Sequence, residues 1–99
     1  MNEKQATRIA QEYVAQQSAA AGRDFVLVHE LTLSKQYGWV FFYDTRAYVE
    51  GGDELRAAVG NAPFIVLAEN GEIHSTGTAH DVDHYLALFE RHGTCHPSD

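Results

Sequence analysis

Hydrophobic positions at the start of the chain recur with the period of an α-helix. From Ala6 to Val14 the apolar residues are spaced i, i+3, i+4, i+7 and i+8, with charged or amide side chains between them. Gly22 follows this pattern, and glycine is the residue that most readily ends a helix. The pattern predicts an amphipathic helix over about residues 3–21.

The period of the hydrophobic positions changes to two at Phe25. The alternation continues to Ser34 and predicts one long strand. Tyr37-Gly38 marks a turn, after which Trp39–Tyr43 is a run of bulky β-forming residues. Because this run is apolar at every position, we expect a central strand that is covered on both faces.

The segment after this aromatic strand is ambiguous. Ala47-Tyr48-Val49 favours a short edge strand, and Gly51-Gly52-Asp53 is a loop signal. Residues 54–59 are compatible with one helical turn or with an irregular approach to the following strand.

A hairpin is the clearest local signal of the second half of the chain. Phe64–Leu67 is a short buried strand, and Asn70-Gly71 follows it. Both residues of this pair tolerate positive φ, which tight hairpin turns require. Residues 72–76 are therefore expected to return as the antiparallel partner.

The last predicted element is a helix over about residues 79–92. Thr78 and Asp81, three residues apart, resemble a capping box, although Glu or Gln is the usual partner. Gly93 ends the helical pattern, and residues 94–99 are predicted to be a flexible polar tail.

These elements predict a single domain with an α+β fold. A chain of 99 residues has room for one core, which we place in residues 1–93. The links between strands are too short for βαβ crossovers, so the sheet should be mainly antiparallel. We expect an N-terminal helix, four to five strands and a C-terminal helix, arranged in two layers.

The net charge restricts the class of partner. Seven Lys and Arg residues against fourteen Asp and Glu residues give a net charge of −7 with histidine neutral. This balance argues against a surface that neutralises the phosphates of nucleic acid or of an anionic membrane. It is compatible with a basic protein partner and equally with simple solubility.

The single cysteine and the absence of a long apolar run indicate the compartment. Cys95 has no partner for an intramolecular disulfide, which favours a reducing environment. No apolar run approaches the roughly 18–20 residues that cross a bilayer, and the polar N-terminus does not resemble a signal peptide. We expect a cytoplasmic protein with no membrane partner.

Two groups of histidines are candidate metal ligands. His80 and His84 are spaced i, i+4, but the segment lacks a third ligand and the His-Glu-x-x-His motif of metalloproteases. His92, Cys95 and His96 lie in or beside the predicted tail. A solvated helical turn and a mobile tail are the favoured interpretations, so we expect no metal.

Enzyme signatures are also weak. Cys95 beside His96 lacks a base positioned by the fold, and the chain contains no nucleophile elbow, phosphate-binding loop or dinucleotide fingerprint. A pair of carboxylates from the segment around Asp44 and Glu54 is conceivable, but a solvated loop is the more frequent outcome. We therefore expect no enzyme activity and no cofactor.

Six aromatic residues fall between Tyr37 and Tyr48. About half should fill the core, with Trp39 as an anchor, and the others must be covered or exposed beside acidic residues. Tyrosine and tryptophan surrounded by carboxylates are typical of an anchor for a basic protein partner.

The order of motifs resembles the immunity protein 35 family, also called the YrhB domain, over nearly the whole chain. The motifs that carry the resemblance are, in order, Tyr37–Tyr43, Gly60–Val66, Asn70–Ile73, Gly77-Thr78 and a helix containing Tyr85. The most specific of them are the Gly-Trp-Val-Phe-Phe-Tyr strand and the Gly-Asn-x-Pro corner. Members are small α+β proteins encoded beside a bacterial toxin whose activity they block. The resemblance implies that this chain binds a cognate toxin domain and blocks its active site in the cytoplasm. A branch with chaperone-like behaviour supplies the alternative of a small holdase.

The resemblance also divides the candidate residues into two groups. The motif residues are expected to be architectural: Trp39, Tyr43, Gly60, Asn61 and Pro63. Residues that recognise a toxin should be specific to each pair, because recognition must also reject wrong partners. The predicted partner-binding residues, which would steer and hydrogen-bond a basic rim, are Tyr48, Glu50, Asp53, Glu54, Asp81, Asp83 and His84. The sequence leaves open whether the free protein forms a homodimer.

Overall fold

A computed structural model of the protein describes residues 1–54 and 61–98. Helix α1 covers Glu3–Ala21, as the sequence predicts. Asn2 and Gln5 form a capping box, in which each side chain accepts a hydrogen bond of 2.9 Å from the other residue's backbone N–H. Gly22 ends the helix in the left-handed conformation, with φ of 66°.

A bent hairpin follows α1. Strands β1 (Phe25–Leu27) and β4 (Tyr43–Thr45) pair in one sheet, and β2 (Leu33–Lys35) pairs with β3 (Gly38–Phe41) in another. Leu27 lies opposite Tyr43 and Leu33 opposite Val40, so the five residues 28–32 on one side face only residues 41 and 42 on the other. The extra residues form a single 3₁₀ turn, His29–Leu31. The predictions of one long strand over residues 25–34 and one over residues 39–43 are therefore wrong, because this bulge divides both strands.

The larger sheet has the strand order β2-β3-β5-β6, with every neighbour antiparallel. Strands β5 (Phe64–Leu67) and β6 (Ile73–Ser75) form the predicted hairpin. Its turn uses one left-handed residue, Gly71 at φ of 74°, whose N–H donates to the Leu67 carbonyl oxygen at 2.8 Å. The α+β class and the antiparallel pairing are confirmed, with six described strands in two sheets where four to five in one sheet were expected.

Two apolar clusters cover opposite faces of the larger sheet. Phe41, Phe64 and Val66 pack against α1, whereas the neighbouring Val40 and Ile65 pack against the C-terminal helix. Successive residues of a strand face opposite sides of a sheet. The described elements form three layers where two were expected, because β3 and β5 are apolar on both faces.

The segment predicted as an edge strand at residues 47–49 is helical. Helix α2 covers Arg46–Gly51 and begins where the Thr45 hydroxyl accepts a hydrogen bond of 3.2 Å from the Tyr48 N–H. This cap satisfies a backbone donor that would otherwise lack a partner, and it overrides the β propensity of Tyr48 and Val49. Residues 54–59, for which the sequence leaves open a helical turn or an irregular approach to the next strand, lie outside the described residues except for Glu54.

Helix α3 covers Val82–His92, three residues shorter at its start than predicted. Asp81, and not Thr78, is the N-cap, because its carboxylate accepts a hydrogen bond of 3.1 Å from the His84 N–H. Gly93 ends the helix as expected. Cys95, placed by the sequence in a polar tail, is 2% exposed and packs in the core between α3 and the sheet. No helix in the described parts of the chain has the length and apolarity needed to cross a membrane.

Candidate partner-binding cleft

A cleft of about 660 Å³ opens between the 29–31 turn, the start of β4 and helix α2. We call it the acidic cleft. Its lining includes six residues with the side chains most suited to recognition: Glu30, Leu31, Asp44, Tyr48, Glu54 and Asn61. Residues more than twenty positions apart in the sequence therefore form one concave surface.

Exposed apolar side chains are concentrated at this cleft. Leu31 is 50% exposed and Tyr48 is 39% exposed. Among the described residues, the third large hydrophobic side chain with comparable exposure is Met1, at the chain terminus. Tyrosine is enriched among the anchors that dominate protein–protein interfaces, and Leu31 adds exposed apolar surface beside Tyr48.

Local hydrogen bonds hold both anchors in place. In the 29–31 turn, the Leu31 N–H donates to the Val28 carbonyl oxygen and the Thr32 N–H to that of His29, both at 3.1 Å. Tyr48 lies in the first turn of α2, which the Thr45 side chain caps. Both side chains are thus presented by short, internally bonded elements and not by extended loops.

The charge of the cleft is negative. Glu30, Asp44 and Glu54 contribute carboxylates, and no Lys or Arg of the described ranges lines the cleft. The Asp44 carboxylate also accepts a hydrogen bond of 2.7 Å from the Thr45 N–H, at the junction of β4 and α2. The arrangement suits a basic side chain whose aliphatic part contacts Leu31 or Tyr48.

Asn61 lines the acidic cleft, but its amide nitrogen is not presented to a partner. Its Nδ2 atom is buried and has no hydrogen-bond partner among the residues that the structure describes. The sequence suggests an architectural role for Asn61, and its position in this cleft is one that the motif did not reveal.

The structure brings together only some of the partner-binding residues predicted near α2. Tyr48 and Glu54 line the acidic cleft, whereas Glu50 does not. The Glu50 carboxylate pairs with Arg46 at 2.8 Å, and the same guanidinium pairs with Asp24 at 2.8 Å. Asp53 is exposed just after α2, where its N–H donates to the Ala47 carbonyl oxygen at 3.2 Å.

The second predicted group lies at the start of α3 and is separate from the acidic cleft. Asp81 is used as the helix cap, and Asp83 is exposed in the first turn, where a carboxylate favours the helix dipole. The His84 ring stacks on His80 with their centroids 4.0 Å apart. Within residues 1–54 and 61–98, no three His, Cys, Asp or Glu residues form a group that could hold a metal ion.

The predicted architectural residues contact the core. Trp39 is half-buried against the cluster beneath α1. The Tyr43 ring meets that of Tyr13 edge-on, with centroids 6.4 Å apart, and burial raises the pKa of both phenols. The Pro63 carbonyl oxygen accepts hydrogen bonds from the Thr76 N–H and hydroxyl, at 2.9 and 2.6 Å. Gly60 lies outside the described residues.

Comparison with known proteins identifies one family and one curated relative. The family model described as Immunity protein 35 matches residues 4–88. "Uncharacterized protein YrhB" of Escherichia coli (strain K12) is 47% identical over 53 residues, which cover 54% of this chain and 56% of the relative. The chain thus spans about half the length of the curated relative it matches. No solved structure shows a significant match.

Proposed function

The chain belongs to the immunity protein 35 family, and from this premise we propose that it binds a cognate bacterial toxin domain and neutralises it by covering the toxin's active site. The observation that supports this proposal best is the acidic cleft, with Leu31 and Tyr48 exposed beside three carboxylates. The proposed place of action is the cytoplasm of the cell that produces the toxin.

The proposed mechanism is occupancy, and it requires no turnover by this chain. Toxin active sites that act on nucleic acid or other anions need basic residues at their rim. A chain with a net charge of −7 attracts such a rim before contact, which raises the association rate. After contact, Leu31 and Tyr48 would bury their apolar surface against the toxin and slow dissociation.

The second predicted group enters the proposal as a separate contact. Asp83 and His84 are exposed near the N-terminus of α3, and neither lines the acidic cleft. We expect a smaller effect from them, because no exposed large apolar side chain accompanies them in the described structure.

The experiment uses the polypeptide encoded by the neighbouring toxin gene, inactivated at its catalytic residue. Calorimetry measures its affinity for the wild-type chain and for the Tyr48→Ala and Leu31→Ala variants. We expect each variant to bind about tenfold or more weakly, the effect typical of an interface anchor. Gln16→Ala, on the exposed face of α1, is the control and should change the affinity less than about twofold.

The same assay tests the other proposed contacts, through Asp83→Asn and His84→Ala. Unchanged affinity for all cleft variants would refute the acidic cleft as the binding site. Absence of any complex, together with suppression of aggregation of unrelated proteins, would favour the chaperone-like alternative.

A further inference from the structure

Strand β1 has an edge that no other described strand pairs with, although α1 packs beside it and its Ser18 hydroxyl accepts a hydrogen bond from the Phe25 N–H. In the described parts of the chain β1 pairs with β4 on one side and with no strand on the other. A free strand edge presents main-chain N–H and C=O groups that can pair with another extended chain.

The hydrogen bonds flanking β1 show which of its groups face that edge. The Asp24 carbonyl oxygen accepts from the Arg46 N–H, and the Val28 N–H donates to the Phe42 carbonyl oxygen, both at 2.8 Å. Because pairing alternates along an antiparallel strand, Val26 faces β4, and the main-chain groups of Phe25 and Leu27 face away. The Phe25 N–H accordingly donates to the Ser18 hydroxyl of α1, at 3.0 Å. The N–H and C=O of Leu27 point the same way.

A groove of about 630 Å³ runs along this edge between α1, β1 and α2. We call it the edge groove. Val14 and Ala15 of α1 and Val49 of α2 form apolar parts of its wall. Glu30 and Val49 line both the edge groove and the acidic cleft, so the two form a continuous surface.

The charge of the edge groove selects the chemistry of an occupant. Asp24, Glu30 and Glu50 line it, against the single described cation Arg46. The Arg46 guanidinium pairs with both Asp24 and Glu50 at 2.8 Å. The remaining carboxylate of the groove is that of Glu30, which also lines the acidic cleft. The groove therefore suits a segment that alternates apolar and basic side chains, with the basic ones towards Glu30.

We propose that an extended, basic segment of the bound toxin pairs with the free edge of β1 and lies in the edge groove. This inference rests on the proposed function, since it specifies how the same toxin is held. β1 has three residues and is about 10 Å long, so the paired segment needs about four residues. Main-chain hydrogen bonds to Leu27 would fix the register, and alternate side chains would enter the groove.

A second copy of this chain is the competing occupant. A chain with a net charge of −7 repels its own acidic groove, which disfavours self-pairing at this edge. Light scattering of the free wild-type chain tests this point. A monomer supports the proposal, whereas a dimer that Ala15→Trp dissociates would overturn it.

The first test is amide hydrogen exchange of the wild-type chain, alone and bound to the inactivated polypeptide encoded by the neighbouring toxin gene. We expect exchange at the Leu27 N–H to slow at least tenfold on binding, because this group would gain a main-chain acceptor. Unchanged exchange at Leu27 in the complex would overturn the inference.

The second test fills the edge groove without changing the acidic cleft. Ala15 and Gln16 are both exposed on α1, but only Ala15 lines the groove. We expect Ala15→Trp to weaken binding at least tenfold and the matched Gln16→Trp to weaken it less than twofold, with similar thermal unfolding of both variants.

The outcomes separate this inference from the proposed function. If Tyr48→Ala weakens binding and Ala15→Trp does not, the edge pairing is wrong and the proposed function stands. If both variants weaken binding, both are supported. If the polypeptide does not bind the wild-type chain, the proposed function fails and the edge pairing fails with it.

Discussion

A Cβ atom on Gly38 would overlap the main-chain carbonyl oxygen of Val66 on the neighbouring strand. Gly38 is the first residue of β3, and its φ of 154° is a value that other residues rarely adopt. Glycine is therefore required where β3 approaches β5.

Gly38→Ala should strongly destabilise the fold. The added methyl group must displace the backbone of β5 or distort β3, and either costs about 3 kcal/mol of the free energy of unfolding. Urea unfolding followed by tryptophan fluorescence measures the loss. Gly51→Ala is the matched control, since nothing lies within 4 Å of its added Cβ, and it should change stability by less than about 1 kcal/mol.

Asp81 and Thr78 provide a test of where α3 begins. Asp81→Ala removes the side chain that caps the helix and should lower the free energy of unfolding by about 1 kcal/mol. Thr78, the cap that the sequence pattern suggests, is exposed and lies outside the helix, so Thr78→Ala should change stability by less than about 0.5 kcal/mol. Equal losses in chemical denaturation would contradict the observed cap.

The reactivity of Cys95 reports whether the chain after Gly93 is packed. Cys95 is 2% exposed, and burial raises the pKa of its thiol, so the reactive thiolate is scarce at neutral pH. We expect a disulfide reagent such as Ellman's reagent to label the folded protein far more slowly than the protein in denaturant. Equal rates in the two conditions would mean that Cys95 lies in an open tail.

Local signals explain which elements the sequence predicts correctly. Helix α1 and the Asn70-Gly71 hairpin each have their pattern and their terminating residue within one short segment. The bulge after β1 has no such signal, because Leu27, Leu31 and Leu33 keep the alternating pattern through the 29–31 turn. The bulge becomes visible only when the register of β1 and β2 with their partner strands is known.

The candidate site shows the same limit. Tyr48 and Glu54 are predicted as partner contacts because an aromatic residue stands among carboxylates in the sequence, and both line the acidic cleft. Leu31 and Glu30 line the same cleft, but the sequence pattern predicts a strand for their segment. In such a strand Leu31 would be buried, whereas the structure leaves it exposed. Their role depends on tertiary structure, which brings the 29–31 turn beside α2.

Three tyrosines should make the fold sensitive to alkaline pH. Burial raises the pKa of Tyr13 and Tyr43, and burial together with the hydrogen bond that Tyr37 donates to Glu90 at 2.8 Å raises that of Tyr37. A folded-state pKa above the unfolded value of about 10 means that stability is complete below pH 10 and is lost as the pH rises through the folded value. The urea concentration at which half of the protein is unfolded should therefore decrease as the pH rises above 10. Tyr37→Phe should make this fall shallower, and an identical slope would contradict the assignment.

The electrostatic part of the proposed mechanism predicts a specific salt dependence. Glu30 and Glu54 line the acidic cleft, whereas Glu12 lies on the exposed surface of α1 outside it. Removing any one of the three changes the net charge equally, so a difference between them reports position and not total charge.

Stopped-flow mixing with the inactivated toxin domain should show an association rate that falls steeply with ionic strength. Glu30→Gln and Glu54→Gln should lower the rate at low salt and flatten its salt dependence, while Glu12→Gln should behave nearly as the wild type. Equal effects of all three variants would mean that net charge alone attracts the toxin, and no effect of any would remove steering from the mechanism.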